Sequence, residues 1–349
     1  MRKGKRLIAW IMAVVMLFTI CVFGGNGTAE AAATTPVAKH GRLSDLVDSK
    51  GNKFQLRGIS THGINWDVGS PYVNKKAFKT LRDDWGVNAI RLAMYTEEYN
   101  GYCSGGSQAK LRKLVDKGVG YATDLGMYAI IDWHILSDGN PNKNKAQAKK
   151  FFTTMAKKYK NNKNVIYEIC NEPNGCGWKE IKSYATDIIK TIRKYDKKAV
   201  IIVGTPTWSQ LGTDGTSNEV ADSPIKGYKN IMYSLHFYAS EWAHNEYLPA
   251  KVAYARKKKL PIIVSEFGLS PASGDGAINK ASADKWMKML NKYNISYFCW
   301  SLSNKNESAS LLKPSTKKTS GWKSGDLSTA GKYIKKKYLA RKKALGKKA

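Results

Sequence analysis

Two glutamates stand where a chain can use them as acid and base. Glu172 lies in Asn171-Glu172-Pro173, at the end of the apolar run Val165-Ile166-Tyr167-Glu168-Ile169-Cys170. Glu266 sits near the close of a second such run, Leu260-Pro261-Ile262-Ile263-Val264-Ser265-Glu266-Phe267-Gly268. A carboxyl group that ends a buried strand and is stopped by proline is held at the rim of a sheet. Two of them point to cleavage of a glycosidic bond, where one carboxyl protonates the leaving oxygen and the other attacks the sugar or activates water. The two tasks need opposed environments. A guanidinium such as Arg91 near Glu266 would keep that group charged. Glu172 would instead keep its proton in a less polar setting beside the negative Glu266.

Other residue types support the pair. Buried strands have little use for unpaired charge, so Arg91, Glu172 and Glu266 need one another or a ligand. Asn171 offers an NH₂ donor one residue before the acid, within reach of a sugar 2-hydroxyl. His236 and Tyr238 lie two apart and face one side of their strand, where they can orient Glu266 and substrate hydroxyls. Trp66, Trp208, Trp242 and Trp300 fall in or near strand-end loops, and their flat rings suit the apolar faces of sugars. Trp10, Trp85, Trp133, Trp178, Trp286 and Trp322 read as leader, core or helix-packing residues.

These side chains require a scaffold that gathers strand ends. Short β-branched runs at 54–60, 89–95, 127–134, 165–171, 199–205, 231–238, 261–267 and 296–301 alternate with helical spacing at 74–85, 108–125, 146–159, 179–195, 246–259 and 279–293. Eight strands joined by crossovers predict a single (β/α)8 TIM barrel, and no dinucleotide-type Gly-rich turn follows the first strand. The active site of such a barrel lies at the C-terminal ends of its strands. That rule brings His62, Arg91, His134, Asn171, Glu172, His236, Tyr238, Glu266 and Trp300 to one mouth.

With 349 residues, 42% of them hydrophobic, the chain is long enough for this core. Arg2, Lys3, Lys5 and Arg6 precede an apolar run from Leu7 to Phe23, followed by Ala29-Glu30-Ala31-Ala32-Ala33. This order reads as a secretory signal peptide over 1–32, with an uncleaved membrane anchor as the alternative. Residues 33–38 read as a short linker, 39–340 as the catalytic domain and 341–349 as a basic tail. No other segment is suited to cross a membrane, so the expected product is extracellular, monomeric and free of the membrane once the leader is cut. Four cysteines then remain, and they allow three pairings between which the sequence does not choose. Cys170 and Cys299 lie on apolar runs and read as buried small residues.

The net charge is +31. The basic residues do not interleave with aromatics as a nucleic-acid channel requires, which excludes that partner. A solvated lysine-rich surface accounts for the charge. Attraction to an anionic cell wall is the functional alternative. His62, His134 and His236 accompany acids but form no His-x-His or His-Glu-x-x-His pair, so neither a metal nor a cofactor is expected.

The stretch 165–174 matches the signature of glycoside hydrolase family five, and residues 37–340 resemble the bacterial endo-β-1,4-glucanases of that family. The supporting segments are Arg57-Gly58-Ile59-Ser60-Thr61-His62-Gly63, Val87-Asn88-Ala89-Ile90-Arg91-Leu92, Asp132-Trp133-His134, Ser234-Leu235-His236-Phe237-Tyr238, Ser265-Glu266-Phe267-Gly268 and Trp300-Ser301-Leu302-Ser303. The resemblance implies a retaining enzyme with Glu172 as acid/base and Glu266 as nucleophile, supported by Arg91, His134, Asn171, His236, Tyr238 and Trp300. It also implies that His62, Trp66, Tyr95 and Trp208 bind a β-1,4-glucan. Lys305 and Glu307 match the family's Lys-x-Glu, while Asn304 stands where relatives commonly carry aspartate. Mannan, xyloglucan or mixed-linkage glucan are rival substrates, because loops rather than the catalytic pair set the choice. A non-catalytic wall-binding protein is the remaining alternative, and it has no need of both glutamates.

Overall fold

The computed structural model describes residues 36–38 and 46–346. The expected leader and most of the linker lie outside them. Eight parallel strands close into a barrel: β3 (Arg57–Thr61), β4 (Ala89–Tyr95), β5 (Tyr128–His134), β6 (Val165–Glu168), β7 (Ile201–Val203), β8 (Ile231–Tyr238), β9 (Ile262–Gly268) and β10 (Tyr297–Leu302), which returns to β3. A small antiparallel pair precedes them, β1 (Val37–Ala38) with β2 (Leu46–Val47). Val37 and Ala38 are thus strand rather than linker.

The period of two along each strand sorts side chains between the inside of the barrel and the helix layer. On β4, Ile90, Leu92 and Met94 face the helices, as do Ala129, Ile131 and Trp133 on β5. The inner face changes character with height. Its lower part is apolar, with Ala89, Tyr128, Ile130, Ile166, Ile202, Met232, Ile263 and Phe298 packed together and joined by Ala38 and Leu46 of the small sheet. Gly58 is required there, since a Cβ would lie 1.9 Å from the Phe298 ring. One step higher the inner residues are Arg91, Asp132 and Glu168, all fully buried. Above them Ala93, Tyr95, Tyr238, Trp300 and Ala309 form an upper cluster.

The outer layer consists of α1 (Lys75–Trp85), α2 (Gln108–Asp124), α3 (Lys145–Tyr159), α4 (Trp178–Arg193), α5 (Pro206–Ser209), α6 (Glu219–Asp222), α7 (Trp242–Lys257), α8 (Lys280–Lys292) and α9 (Thr329–Gly346). The longer helices turn lysine-rich faces outward and apolar stripes inward, whereas α5 and α6 are four-residue turns without lysine. In α1 the Asn74 side chain accepts from Ala77 N, Gly86 at φ 75 ends the helix, and Ala77, Phe78, Leu81 and Trp85 form the buried stripe.

Several sequence expectations need correction. The first strand begins at Arg57, not at residue 54. The fourth ladder stops at Glu168, so Glu172 sits on the following loop, which is tied to the barrel by Asn171 N donating to Trp133 O (3.2 Å). Helix α7 begins at Trp242 rather than 246 and carries Pro249 inside it. Helix α9 continues through 340 to Gly346, and Arg341 Nε donates to Gln55 Oε1 (2.8 Å). Residues 341–346 are therefore the end of a docked helix rather than a separate tail.

Candidate active site

Arg91 holds the centre of the site together. Its Nη1 donates to Glu266 Oε2 (2.8 Å), its Nε to Glu168 Oε2 (2.7 Å) and its Nη2 to Asn171 Oδ1 (2.5 Å), with Asp132 Oδ2 3.0 Å from Nη2. Three carboxyl groups thus surround one buried cation. The guanidinium cannot neutralise all three, and burial without full compensation pushes carboxyl pKa values up. Burial raises Asp132 to about 7, against the pull of Arg91. Glu168 is also raised, mainly by burial.

Glu266 accepts a second hydrogen bond at its other oxygen, from Tyr238 Oη (2.8 Å). Burial and the neighbouring Glu266 and Glu172 charges hold the Tyr238 hydroxyl well above its ordinary pKa, so it remains a donor. Glu172 has different company. Its Oε1 lies 2.8 Å from His236 Nδ1, and His236 Nε2 lies 2.9 Å from Ser265 Oγ. Burial lowers His236 to about 4, so the imidazole is neutral. Burial also pushes Glu172 up to about 8; Arg91 opposes this, and the Asp132 and Glu168 charges add to it. A neutral carboxyl on Glu172 can donate to Nδ1, while His236 turns its own N–H to Ser265. One carboxylate oxygen each from Glu172 and Glu266, together with a His236 ring nitrogen, lie within 4.8 Å of one another.

These groups open into a cleft of about 570 Å³ at the C-terminal end of the barrel. Along one part of its wall stand His62, Trp66, Tyr95, Trp300, Lys305 and Glu307. Trp66 stacks on Tyr95 (4.5 Å) and donates from Nε1 to Tyr99 O (2.6 Å). Trp300 stacks on His134 (5.3 Å), and the Trp300–Ser301 peptide is cis. His62 Nδ1 accepts from Gly63 N (2.8 Å), which leaves Nε2 to face Glu307 Oε1 at 3.6 Å. Burial raises the Glu307 carboxyl, but His62 and Lys305 outweigh it and the net change is downward. Lys305 Nζ is 2.5 Å from Glu307 Oε2.

Trp208 forms a separate part of the wall, on a turn whose residues Thr207, Trp208 and Ser209 all have left-handed φ (56°, 53° and 64°). Such residues cost about 1 to 2 kcal/mol each outside glycine. The turn is nevertheless held, by Trp208 N donating to Pro173 O (3.1 Å) and Ser209 Oγ to Asn171 O (2.7 Å). Trp208 is thereby fixed beside Glu172, where it lines the cleft and stays 46% exposed.

Of the sequence-predicted site residues, Arg91 and Asn171 lie bonded beneath the cleft, Trp242 is not among its lining residues, and the others line it, though not always with the expected partner. His236 meets Glu172 rather than Glu266. Glu172 is raised by burial and by Asp132 and Glu168, not by Glu266. Asn171 points Nδ2 at Ile135 O (3.1 Å) and His134 Nε2 (3.2 Å), so in this arrangement it holds the framework rather than reaching for a sugar. His134 lines the cleft while its Nδ1 lies 2.6 Å from Asp132 Oδ2. The three histidines do not gather around one point: His62 is beside Glu307, His134 beside Asp132 and His236 beside Glu172. Glu168, Asp132 and Ser265 join the site as well; each lies two residues after an inward-facing isoleucine of its strand (Ile166, Ile130 and Ile263), and that parity is the signal for them. Glu98, Gln210, Glu241 and His244 also line the cleft. Glu98 and Gln210 lie on strand-end loops, and Glu241 and His244 at the start of α7, where spacing gives no signal. Cys103, Cys170, Cys176 and Cys299 are all free thiols, and burial raises each of them.

Comparison with known proteins places this geometry in context. The family model "Cellulase (glycosyl hydrolase family 5)" matches residues 47–306. An endoglucanase of Clostridium saccharobutylicum is 46% identical over 95% of this chain and 72% of its own length. Endoglucanase 5 of Pectobacterium carotovorum is 45% identical over 91% of this chain, which spans only 62% of that relative. Among solved structures, the catalytic domain of a Thermobifida fusca endoglucanase in complex with cellotetraose superposes with a TM-score of 0.79 at 35% identity, covering 87% of this chain and 97% of that one.

Proposed function

The chain belongs to glycosyl hydrolase family 5, the cellulase family, and is a glycoside hydrolase; we propose that it is a secreted endo-β-1,4-glucanase that acts with retention of configuration. The reading rests on one observation. The nearest carboxylate oxygens of Glu172 and Glu266 are within 4.8 Å of each other, one glutamate facing a neutral imidazole and the other a guanidinium. Retaining enzymes hold the two carboxyls roughly 5 to 5.5 Å apart, whereas inverting ones need roughly 6.5 to 9.5 Å for an intervening water.

In the first step a Glu266 oxygen attacks the anomeric carbon while Glu172 gives its proton to the departing glycosidic oxygen. The carbon–oxygen bond to the leaving chain breaks and an ester to Glu266 forms. Glu172, now charged, then takes a proton from water as the hydroxide oxygen displaces Glu266. His236 supports both states: its Nδ1 accepts from the acid and, after a tautomer shift, donates to the carboxylate. Tyr238 and Arg91 keep Glu266 aimed at the carbon.

The substrate assignment is supported by the endoglucanase relatives and by the cellotetraose bound to the Thermobifida structure. Export is supported by the basic, apolar and small-residue order of residues 1–32. The test is proton NMR of the first products from cellopentaose, beside parallel rates on carboxymethylcellulose, barley glucan and galactomannan. Fresh β-anomer and a preference for carboxymethylcellulose or barley glucan are expected. Early α-anomer rules out retention, and a preference for galactomannan rules out the glucanase reading.

A further inference from the structure

Burial does not explain where this protein leaves its large apolar side chains in water. Among the described residues only Tyr99, Trp208, Trp242, Tyr247 and Leu339 are large, hydrophobic and exposed. Leu339 lies on α9. The four aromatics all belong to segments that follow barrel strands β4, β7 and β8, on the face that carries the cleft. Scattered exposed hydrophobics are ordinary, but aromatics confined to the rim of a sugar site are not scattered.

Trp242 is the least accounted for of them. It is 69% exposed, opens α7, and sits between Glu241 and His244, both of which line the cleft. Its position is rigid. His244 Nδ1 accepts from Tyr238 N (2.9 Å) and Glu241 Oε1 accepts from Ala272 N (2.7 Å), tying the first turn of α7 to β8 and to the loop after β9. Tyr247 braces the indole edge-on, with ring centroids 5.8 Å apart at 81°. Tyr247 is backed in turn by Gly215, where a Cβ would come within 2.9 Å of the phenol ring. The structure therefore fixes an indole and leaves its surface wet, which suits a platform and serves no core.

The side of the cleft follows from hydrogen bonds. The Trp208 turn is bonded to Pro173 and Asn171, which flank the proton donor, and Gln210 Nε2 lies 3.2 Å from His244 Nε2. These bonds join the Trp208 turn to the first turn of α7, which carries Trp242, on the side toward which Glu172 would release the leaving chain. We propose that Trp242, braced by Tyr247, forms an added sugar-stacking subsite for the leaving-group end of a long β-glucan, beyond the ring of Trp208. The inference rests on the glucanase reading above. It makes the enzyme favour chains long enough to cross both rings.

The experiment compares kcat/KM for cellohexaose with that for p-nitrophenyl cellobioside, whose short leaving group cannot span two platforms. In Trp242→Ala the cellohexaose preference should fall about tenfold, the equivalent of 1.4 kcal/mol of stacking, and Trp242→Phe should restore most of it. Leu339→Ala, an exposed apolar truncation on α9 and outside the cleft lining, should leave the preference where it is. Thermal midpoints establish that each variant is folded. A Trp242→Ala enzyme that keeps the wild-type preference within twofold overturns the subsite while leaving the glucanase reading intact. A wild-type protein inert on every β-1,4-glucan overturns both.

Discussion

Replacing Glu172 by glutamine should abolish turnover of β-glucan and, at the same time, stabilise the protein in a way that depends on pH. Burial moves this carboxyl from an ordinary 4.5 to about 8. The displacement of about 3.5 pH units corresponds, at 1.36 kcal/mol per unit, to an upper figure of about 5 kcal/mol. Between those two values the folded protein binds more protons at Glu172 than the unfolded chain does. Stability from this group is therefore complete below pH 4.5 and is lost progressively as pH rises to 8. Glutamine copies the neutral acid at every pH and escapes the loss. In scanning calorimetry the variant and the wild type should melt together near pH 4.5. By pH 9 the variant should melt about 5 to 10 °C higher, at roughly 2 °C per kcal/mol for a domain of this size. Asp132 and Glu168 are raised by burial in both proteins and so largely cancel in the comparison. The gain to catalysis runs the other way: at pH 7 roughly 1 in 300 ordinary glutamates carries a proton, against about nine in ten with a pKa of 8. The basic limb of wild-type kcat/KM should accordingly fall near pH 8. A melting difference that is constant from pH 4.5 to 9, or a variant less stable at pH 9, refutes the assignment of the raised proton to Glu172.

Three further outcomes are expected. Arg91→Met strands Asp132, Glu168 and Glu266 without their shared cation, so it should cost about 3 to 5 kcal/mol, and urea unfolding should show the deficit larger at pH 8 than at pH 5. Trp208→Ala should raise KM for cello-oligosaccharides about tenfold with a smaller change in kcat, because a platform beside the leaving chain binds ground state and transition state alike. Dialysis against EDTA should leave the hydrolysis rate unchanged. A loss that a divalent ion restores would mean that Glu172, His236 and Glu266 serve as ligands rather than as acid, support and nucleophile.

What could be read from the sequence was what period and chemistry encode locally. Alternating runs fixed the barrel, because a strand buried on both faces must be apolar over its length and a crossover helix must carry one apolar stripe. The strand-end rule then located Glu172, Glu266, Arg91, His236, Tyr238 and Trp300 at one mouth, since in a closed parallel barrel all strands end on the same face. The C-terminal helix escaped notice because its lysines hide a stripe of Tyr333, Ile334 and Tyr338.

Partnership was decided in three dimensions. Which carboxyl Arg91 would choose depends on barrel stagger, and the answer is three at once: Asp132, Glu168 and Glu266. The Asp132 and Glu168 charges of that group, rather than Glu266, accompany burial in keeping a proton on Glu172. The left-handed turn that fixes Trp208, and the Tyr247 brace behind Trp242, join residues through contacts across loops, and no spacing along the chain encodes those. Residue types state which charges and rings are available; only closure of the barrel sets their distances, and electrostatic and stacking energies depend on distance.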